Sequence, residues 1–584
     1  MSNKPDYIDR VQKLRALMAK QGVQGFIVPR ADEWQGEFVA EYAERLRWLT
    51  GFTGSGGAAV VLEGAAMLLT DSRYTLQAAA EVDTDIFEVV NVVETPMAKW
   101  LAEHCGEKTV VAYDARLHTP DQLEKLRAEG LTLRAVDNLI DALWDDQPTP
   151  PQSEVRLFPE HIAGRSAQEK CTAVGEALRS EGLERFIVTL PDSLAWLLNI
   201  RGQDTAYIPV ALSYLIIDQS GAVTWFVDPV RVPENVQAHL GPQVNIVKPS
   251  EMEATLSNLP KGEKIGIDPK HSAEWFDIVL KKAGAEICPL KDPCIMPKSL
   301  KTPQEQKAIR QAHVTDAVAL VKFLAWIDCA HSLEDITEMS AAARLREFRA
   351  QSDEFLGSSF PTISGFGANG AIVHYRAKPH TDTKVTGDSL LLVDSGAQYQ
   401  GGTTDITRTI LIGAPSDEMK EIFTRVLMGH IDVARAEFAK GTLGKDIDAL
   451  ARAPLKEVGQ DFAHGTGHGV GCYLAVHEEA ANLSPRGEAA LQVGMLISNE
   501  PGYYKEGEYG IRIENLVLVE PRGDKLGFET VSFAPIDQRL IVTDMLSSAQ
   551  RTWLNEYHAQ VLGKISKYLD GDDKAWLSRA TQAL

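Results

Sequence analysis

Five residues in the second half of the sequence have the types and setting for metal chemistry: Asp394, Asp405, His468, Glu500 and Glu514. They lie in the segments LLVDSGAQYQGGTTDITRT, HGTGHGVG, ISNEPGYY and GIRIENLVLV. Four carboxylates and one imidazole are the ligand set of a carboxylate-bridged pair of divalent ions, and such a pair activates water for hydrolysis. Taken singly, each residue has an ordinary reading. An Asp at a strand end caps a turn, a loop His bonds to backbone, and a strand Glu faces solvent. Jointly they point elsewhere, because four clustered carboxylates repel one another and can be buried only if protonated or matched by cations.

The local pattern predicts how they meet. Asp394 ends a buried strand, 389–393, and Asp405 begins another, 406–412. AQYQGG lies between them as a hairpin connection in which Gly401 and Gly402 free the turn. The midpoint of the two aspartates falls at that connection, so they are expected to face each other. Glu500 follows the strand 495–498, Glu514 sits in 511–519, and their midpoint is Gly507, which predicts a second hairpin with two more carboxylates. His468 is expected from a Gly-rich loop, where missing side chains permit close backbone approach. Oxygen-rich ligation favours hard ions, so two Mn²⁺ fit better than Zn²⁺, although affinity order and metal supply compete. A water held by both ions would lose a proton near neutral pH, giving a hydroxide nucleophile.

The elements that must position these residues begin with an internal repeat. KLRALMAKQGVQGFIVPR (13–30) and AVGEALRSEGLERFIVTL (173–190) align without gaps at an offset of 160. Both read as helix, Gly stop and buried strand. Strand pairs around a Gly turn follow near 60–69 and 215–227. A repeat of this size predicts duplicated α/β domains rather than a solenoid. DDQPTPPQS (145–153) is a Pro-rich linker between the copies, and MPKSLKTPQEQ (296–306) closes the second. Thr302-Pro303-Gln304-Glu305 is a capping-box start, and the helix it opens is expected over about 303–330. After residue 520 come GFETVSFAPIDQRLI and two helical stretches near 546–567 and 572–583. The apolar patches of this tail, among them Phe528, Phe533, Leu540, Trp553, Leu554 and Tyr557, fit either packing on the chain's own catalytic part or contact with a second copy.

Composition bounds the rest. With 584 residues, 44% hydrophobic and 24% charged, the chain is ordinary globular material for several domains. The formal charge of −22 argues against nucleic-acid and anionic-membrane partners. Six cysteines are scattered without CxxC spacing, as in reduced cytosolic proteins. The beginning, MSNKPDYIDR, lacks an apolar signal core, and no stretch predicts a membrane span.

The ordered set Asp, Asp, His, Glu, Glu, with HGTGHGVG, NEPGYY and GIRIEN around it, resembles the pita-bread metallopeptidases, the family of methionine aminopeptidase, prolidase and aminopeptidase P. The motifs resemble its proline-specific branch, and with two domains in front the chain is similar to the long cytosolic Xaa-Pro aminopeptidases. The resemblance implies an α/β (α+β) chain with two duplicated creatinase-like N-terminal α/β domains, at 1–148 and 154–298. A pita-bread catalytic domain at 302–520 and a C-terminal extension at 521–584 follow. It also implies roles for residues outside the ligand set. His374 and His477 would touch the peptide carbonyl and stabilise the tetrahedral intermediate, and His464 would line the proline pocket. Arg73, in LTDSRYTLQA, would contact substrate from the first domain, where a surface salt bridge is the alternative. Arg512, two residues before Glu514, shares its strand face and would orient a carboxylate or bind substrate, unless it is a plain surface Arg. Glu500 would shuttle a proton to the leaving nitrogen. One departure stands out: after His477-Glu478 the family often has Gly-Pro, and this chain has Glu479-Ala480, so subsite preference beyond proline is open.

The implied activity is release of the N-terminal residue X from peptides with proline at the second position, by a cytoplasmic homodimer. Proline needs a dedicated enzyme because its nitrogen carries no proton once acylated and its ring fixes φ. The alternative is prolidase, restricted to X-Pro dipeptides. Prolidases resemble a shorter chain with one such leading domain. Methionine aminopeptidase needs no large extension, and the non-catalytic pita-bread binding modules lack the five ligands.

Overall fold

The repeat at an offset of 160 is built into two matching sheets. In the first copy the helix Tyr7–Gln21 leads into the strand Gly25–Pro29, and in the second Ala167–Ser180 leads into Arg185–Val188. Gly22 and Gly182 follow these helices at φ 64° and 70°, a conformation that glycine adopts without the Cβ penalty. The first six-stranded sheet runs in the order of strands starting at Glu88, Ala66, Ala58, Gly25, Val110 and Thr132. The second runs Val244, Val223, Tyr214, Arg185, Lys264 and Glu286. Each has two antiparallel pairings in the middle and parallel pairings outside them, in the same places. A shared detail supports duplication. Arg10 lies over the Trp48 ring and donates to the Trp48 carbonyl, while Lys170, at the equivalent helix position, lies over Trp196 and donates to its carbonyl.

The computed structural model describes residues 6–71, 74–106, 108–330 and 335–584. Arg73 therefore lies outside the described residues. The chain forms two compact bodies. One holds residues up to Leu157 and Ser166–Cys294, and the other holds Phe158–Arg165 and Ile295–Leu584. Within the first body the two copies meet where Trp34 stacks on Tyr214, with ring centroids 5.1 Å apart.

The second body opens with the expected helix, Pro303–Ala330. Its capping box is formed: Thr302 Oγ1 accepts from Glu305 N at 3.1 Å, and the Glu305 carboxylate accepts from Thr302 N at 2.8 Å. Strands Ile363–Phe366, Ser389–Ser395 and Ile406–Ile412 make one antiparallel sheet. A six-stranded sheet carries Gly467–Gly469, Glu478–Leu483, Leu496–Asn499, Asn515–Arg522 and Lys525–Thr530, with Glu437–Phe438 at its edge. Gly502–Lys505 and Tyr509–Arg512 form a separate hairpin. The boundary expected at 520/521 falls inside a hairpin, since Asn515–Arg522 pairs with Lys525–Thr530.

The tail packs on its own body. Phe528, Phe533, Leu540, Leu554 and Tyr557 are all buried in one apolar core with the catalytic strands and the helix Asp417–Ala434. A buried arginine stitches the two parts together. Arg408 donates to the carbonyls of Thr407, Glu514, Ala534 and Pro535, to Asn515 Oδ1 and to the Tyr557 hydroxyl, at 2.6–3.0 Å.

Asp316 and Arg349 join the opening helix to the helix Glu338–Arg349 through a two-pronged ion pair at 2.8 and 3.1 Å, both side chains nearly inaccessible. The Tyr399 hydroxyl also donates to Asp316, at 2.9 Å, and Arg349 reaches the Gly396 carbonyl at 3.3 Å. Removing one partner strands a buried charge, which costs about 3–5 kcal/mol. Asp316→Ala is therefore expected to lower stability by that amount in chemical unfolding; a loss below about 1 kcal/mol would show that the pair is dispensable.

Candidate metal centre

The hairpin registers bring the carboxylates together. Asn499 pairs with Asn515 and Gly502 with Arg512, so the same register sets Glu500 opposite Glu514, as expected. The strand around Glu514 is not continuous. Pairing stops at Arg512 and resumes at Asn515, and the two glutamates occupy the break between the hairpin and the large sheet. The aspartates are offset by two residues from the expectation. Asp394 pairs with Thr407, and the register that continues through Gln398–Thr403 puts Asp405 opposite Gly396. They are thus diagonal neighbours on one face. His468 is not in a loop. It sits in the three-residue strand Gly467–Gly469, held by pairing on both sides. The glycine argument survives, since a Cβ on Gly467 would fall 1.8 Å from the Ser498 carbonyl oxygen.

Ligand-type atoms of Asp405, His468 and Glu514 all lie within 4.8 Å of one another. His468 Nε2 is 3.5 Å from Asp405 Oδ2 and 3.4 Å from Glu500 Oε1. Its Nδ1 donates to the Gly469 carbonyl at 2.9 Å, so Nε2 is the nitrogen that faces the acids. Asp394 Oδ2 accepts from Arg512 Nη2 at 2.7 Å. Glu514 Oε2 accepts from Thr407 Oγ1 at 2.7 Å, and Glu500 Oε1 accepts from Ser498 Oγ at 3.0 Å.

The electrostatics show how strongly these acids act on one another. Burial pushes the Asp394 carboxyl up to about 7, with Asp405 and Glu500 adding to the rise and Arg512 opposing it. Burial likewise raises Glu500, and it raises Glu514 far above the carboxylate range with the three other acids contributing. Burial pulls the His468 imidazole down, but Asp405 and Glu500 outweigh it and lift it to about 9. Asp394 Oδ1 and Glu514 Oε1 are buried with no hydrogen-bond partner among the described residues. Buried carboxylate oxygens without donors, around an imidazole nitrogen, fit divalent cations.

Arg512 is buried, and its donors are spent inside the site. Besides Asp394, it reaches Tyr504 Oη at 2.7 Å and Thr407 Oγ1 at 3.2 Å. It therefore orients Asp394 directly and Glu514 through Thr407. Tyr504 continues the chain to His464 Nε2 at 2.8 Å, and burial pushes its hydroxyl up to about 12. The His464 ring also lies 4.9 Å from Phe462. His477 is exposed, and its ring meets His468 edge-on at 4.3 Å. His374 lies in the stretch between Ala371 and Ser389, directly after Val373, whose carbonyl accepts from Arg512 at 3.5 Å. Tyr504 was findable within the NEPGYY motif. Thr407 and Ser498 were not, because their value is a matter of register.

Similarity to known proteins follows this geometry closely. Residues 307–521 match metallopeptidase family M24, and 524–584 match the C-terminal region of that peptidase. Residues 10–143 and 146–305 each match a creatinase/prolidase N-terminal domain. Over 611 aligned residues the chain is 36% identical to a probable Xaa-Pro aminopeptidase P of Aspergillus niger, covering 99% of both proteins. The chain belongs to the Xaa-Pro aminopeptidase P family of M24 metallopeptidases. A solved X-prolyl aminopeptidase from Caenorhabditis elegans, a cytosolic enzyme with a di-nuclear active site, matches 99% of this chain and 100% of its own at TM-score 0.93 and 30% identity. A prolidase from Pyrococcus furiosus matches 62% of this chain, at TM-score 0.50 and 25% identity. The fold is thus two creatinase-like α/β domains followed by a pita-bread domain, and full-length agreement lies with the aminopeptidases P.

Glu500→Gln removes a charge that His468 and Ser498 both face, and it is expected to lower kcat by several orders of magnitude. His477→Ala leaves the acid cluster intact, so it should cost roughly 10²–10³-fold in kcat with metal content unchanged. Loss of metal from His477→Ala, measured by elemental analysis, would overturn this division of roles.

Proposed function

We propose that the chain hydrolyses the bond before proline and releases the N-terminal residue from X-Pro peptides. The observation that carries this reading is the convergence of Asp394, Asp405, His468, Glu500 and Glu514, with Arg512 bonded into them, in a chain that follows the aminopeptidases P end to end. Those five residues would hold two divalent ions, which supply Lewis-acid activation of water and of the peptide carbonyl. The oxygen-rich donor set favours Mn²⁺.

The chain's own groups have separable tasks. Glu500, the acid whose side chain retains more exposure than Asp405 beside it, takes a proton from the attacking water and passes it to the proline nitrogen, which has none of its own. His477, exposed beside His468, and His374 donate to the carbonyl oxygen as charge develops there. His464, backed by Phe462 and bonded to Tyr504, offers a ring face for proline. Arg512 fixes Asp394 and Tyr504 in place.

The chain divides into N-terminal copies at 1–148 and 154–298 and a catalytic domain from 302, which runs past 520 through the strand pair Asn515–Arg522 and Lys525–Thr530 into the extension. It works in the cytoplasm, a reading supported by the cytosolic relative in Caenorhabditis elegans and by six cysteines that form no disulfide among the described residues. It is a homodimer by resemblance to the long forms. The tail's apolar residues do not contribute to that argument, since the core takes them up. Light scattering at micromolar concentration tests the assembly.

Exhaustive chelation is expected to abolish activity, with Mn²⁺ restoring it best; full turnover by metal-free protein would refute the dinuclear site. A dipeptidase needs a cation or donor closing the pocket against the carboxylate after proline, and the sequence carries no motif for such a gate. X-Pro-Y tripeptides should therefore be cut with higher kcat/KM than X-Pro dipeptides. The opposite order would make the enzyme a prolidase.

A further inference from the structure

His464 is bonded to Tyr504, His477 is followed by the buried Glu478–Lys301 pair, and His374 sits in a segment with little regular structure. Between the strands Ile363–Phe366 and Ser389–Ser395, the chain forms only a short 3₁₀ turn, Gly367–Ala371.

We propose that Glu338 is a positioning residue for His374, its buried carboxylate serving as the knot that ties this loop. Glu338 is the first residue of the helix Glu338–Arg349, behind the cap Thr337, and its side chain is fully buried. Its Oε1 accepts from Phe366 N at 2.7 Å and from Asn369 Nδ2 at 2.9 Å. Its Oε2 accepts from the Tyr375 hydroxyl at 2.9 Å and from Thr383 N at 3.1 Å. The Glu338 N–H in turn donates to the Thr383 carbonyl at 3.0 Å. These donors come from the start, the middle and the far side of one loop, and a carboxylate, which only accepts, satisfies all of them at once. Asn369 also donates to the Tyr375 hydroxyl at 3.0 Å, closing a ring of bonds.

His374 is the residue directly before Tyr375. On its other side, the Val373 carbonyl accepts from Arg512, the arginine that holds Asp394. The histidine is thus clamped between an anchor on the acid cluster and an anchor on Glu338. The Tyr375 ring packs with Ile363 and Leu392 and against Tyr504, so rotation about this point is restricted as well. Glu338 touches no substrate. It acts by setting the place and direction of a donor, and small displacements of such groups are costly in rate.

This inference rests on His374 as the carbonyl donor, and the test separates the two ideas. Full-length, Mn²⁺-loaded enzyme would be assayed on an X-Pro-Y tripeptide as Glu338→Gln, His374→Ala and the double variant. Glutamine keeps the shape but sets an NH₂ against groups that themselves donate. Glu338→Gln is expected to lower kcat ~10-fold or more with KM changed little and metal content unchanged. The double variant should be no slower than His374→Ala alone, because groups that act as one unit are not additive. Unchanged kcat in Glu338→Gln, or a double-variant loss equal to the product of the single losses, would overturn the positioning role. If His374→Ala itself kept full kcat, the carbonyl-donor reading would fall first, and this role with it. Should Glu338→Gln not fold, Tyr375→Phe removes the hydroxyl's bonds to Glu338, Asn369 and Thr381 and leaves the carboxylate, and the same cycle applies with an expected loss of ~3–10-fold.

Discussion

The second body is organised around one electrostatic constraint: four acids held close together, mostly away from water. Nothing in the apolar core can stabilise that arrangement, because low-dielectric surroundings strengthen like-charge repulsion. The surrounding polar groups are accordingly assigned one by one. Arg512 takes Asp394, Thr407 takes Glu514, Ser498 takes Glu500, and the Gly469 carbonyl fixes the tautomer of His468. Two sheets contribute, so the acids can be close only if both keep register. That explains why the hairpin turns, far from the chemistry, matter to it.

The histidines around the cluster show a second pattern. The backbone or a neighbour of each is tied to a charged side chain on or beside a helix. Arg452 donates to the His464 carbonyl at 2.6 Å while gripping Asp448, one helical turn away. Lys301, just before the opening helix, forms a fully buried ion pair with Glu478, the residue after His477. Loops that carry exposed, reactive side chains are held to helices through single charge-assisted bonds.

Much of this was legible in the sequence, for physical reasons. The repeat could be read because a helix, a glycine stop and a buried strand leave a periodic signature, and it returned as sheets of matching order. The glutamate pairing could be read because the register is symmetric about Gly507. The aspartates were misjudged by two positions. Counting residues to a midpoint assumes that the turn is centred on it, and here the turn lies at Gln400–Gly401. His468 was taken for a loop residue because HGTGHGVG has the glycine content of one; in the fold those glycines permit close packing of strands. Arg408 and Lys301 carry no such signal, since a lone cation in sequence says nothing of being buried. Glu479-Ala480 remains an oddity with a structural mark, as Ala480 takes φ 86° within a register shift beside His468.

The Arg408 stitch has a consequence for the order in which the site's support is made. Its guanidinium lies directly under Glu514, yet the Tyr557 hydroxyl that it grips is 149 residues further along the chain. During synthesis the acid cluster is therefore translated well before the groups that let Arg408 leave water. A chain paused before Tyr557 holds every residue of the acid cluster and lacks one of the six groups that Arg408 bonds. The support beneath Glu514 thus joins residues made early and late in synthesis.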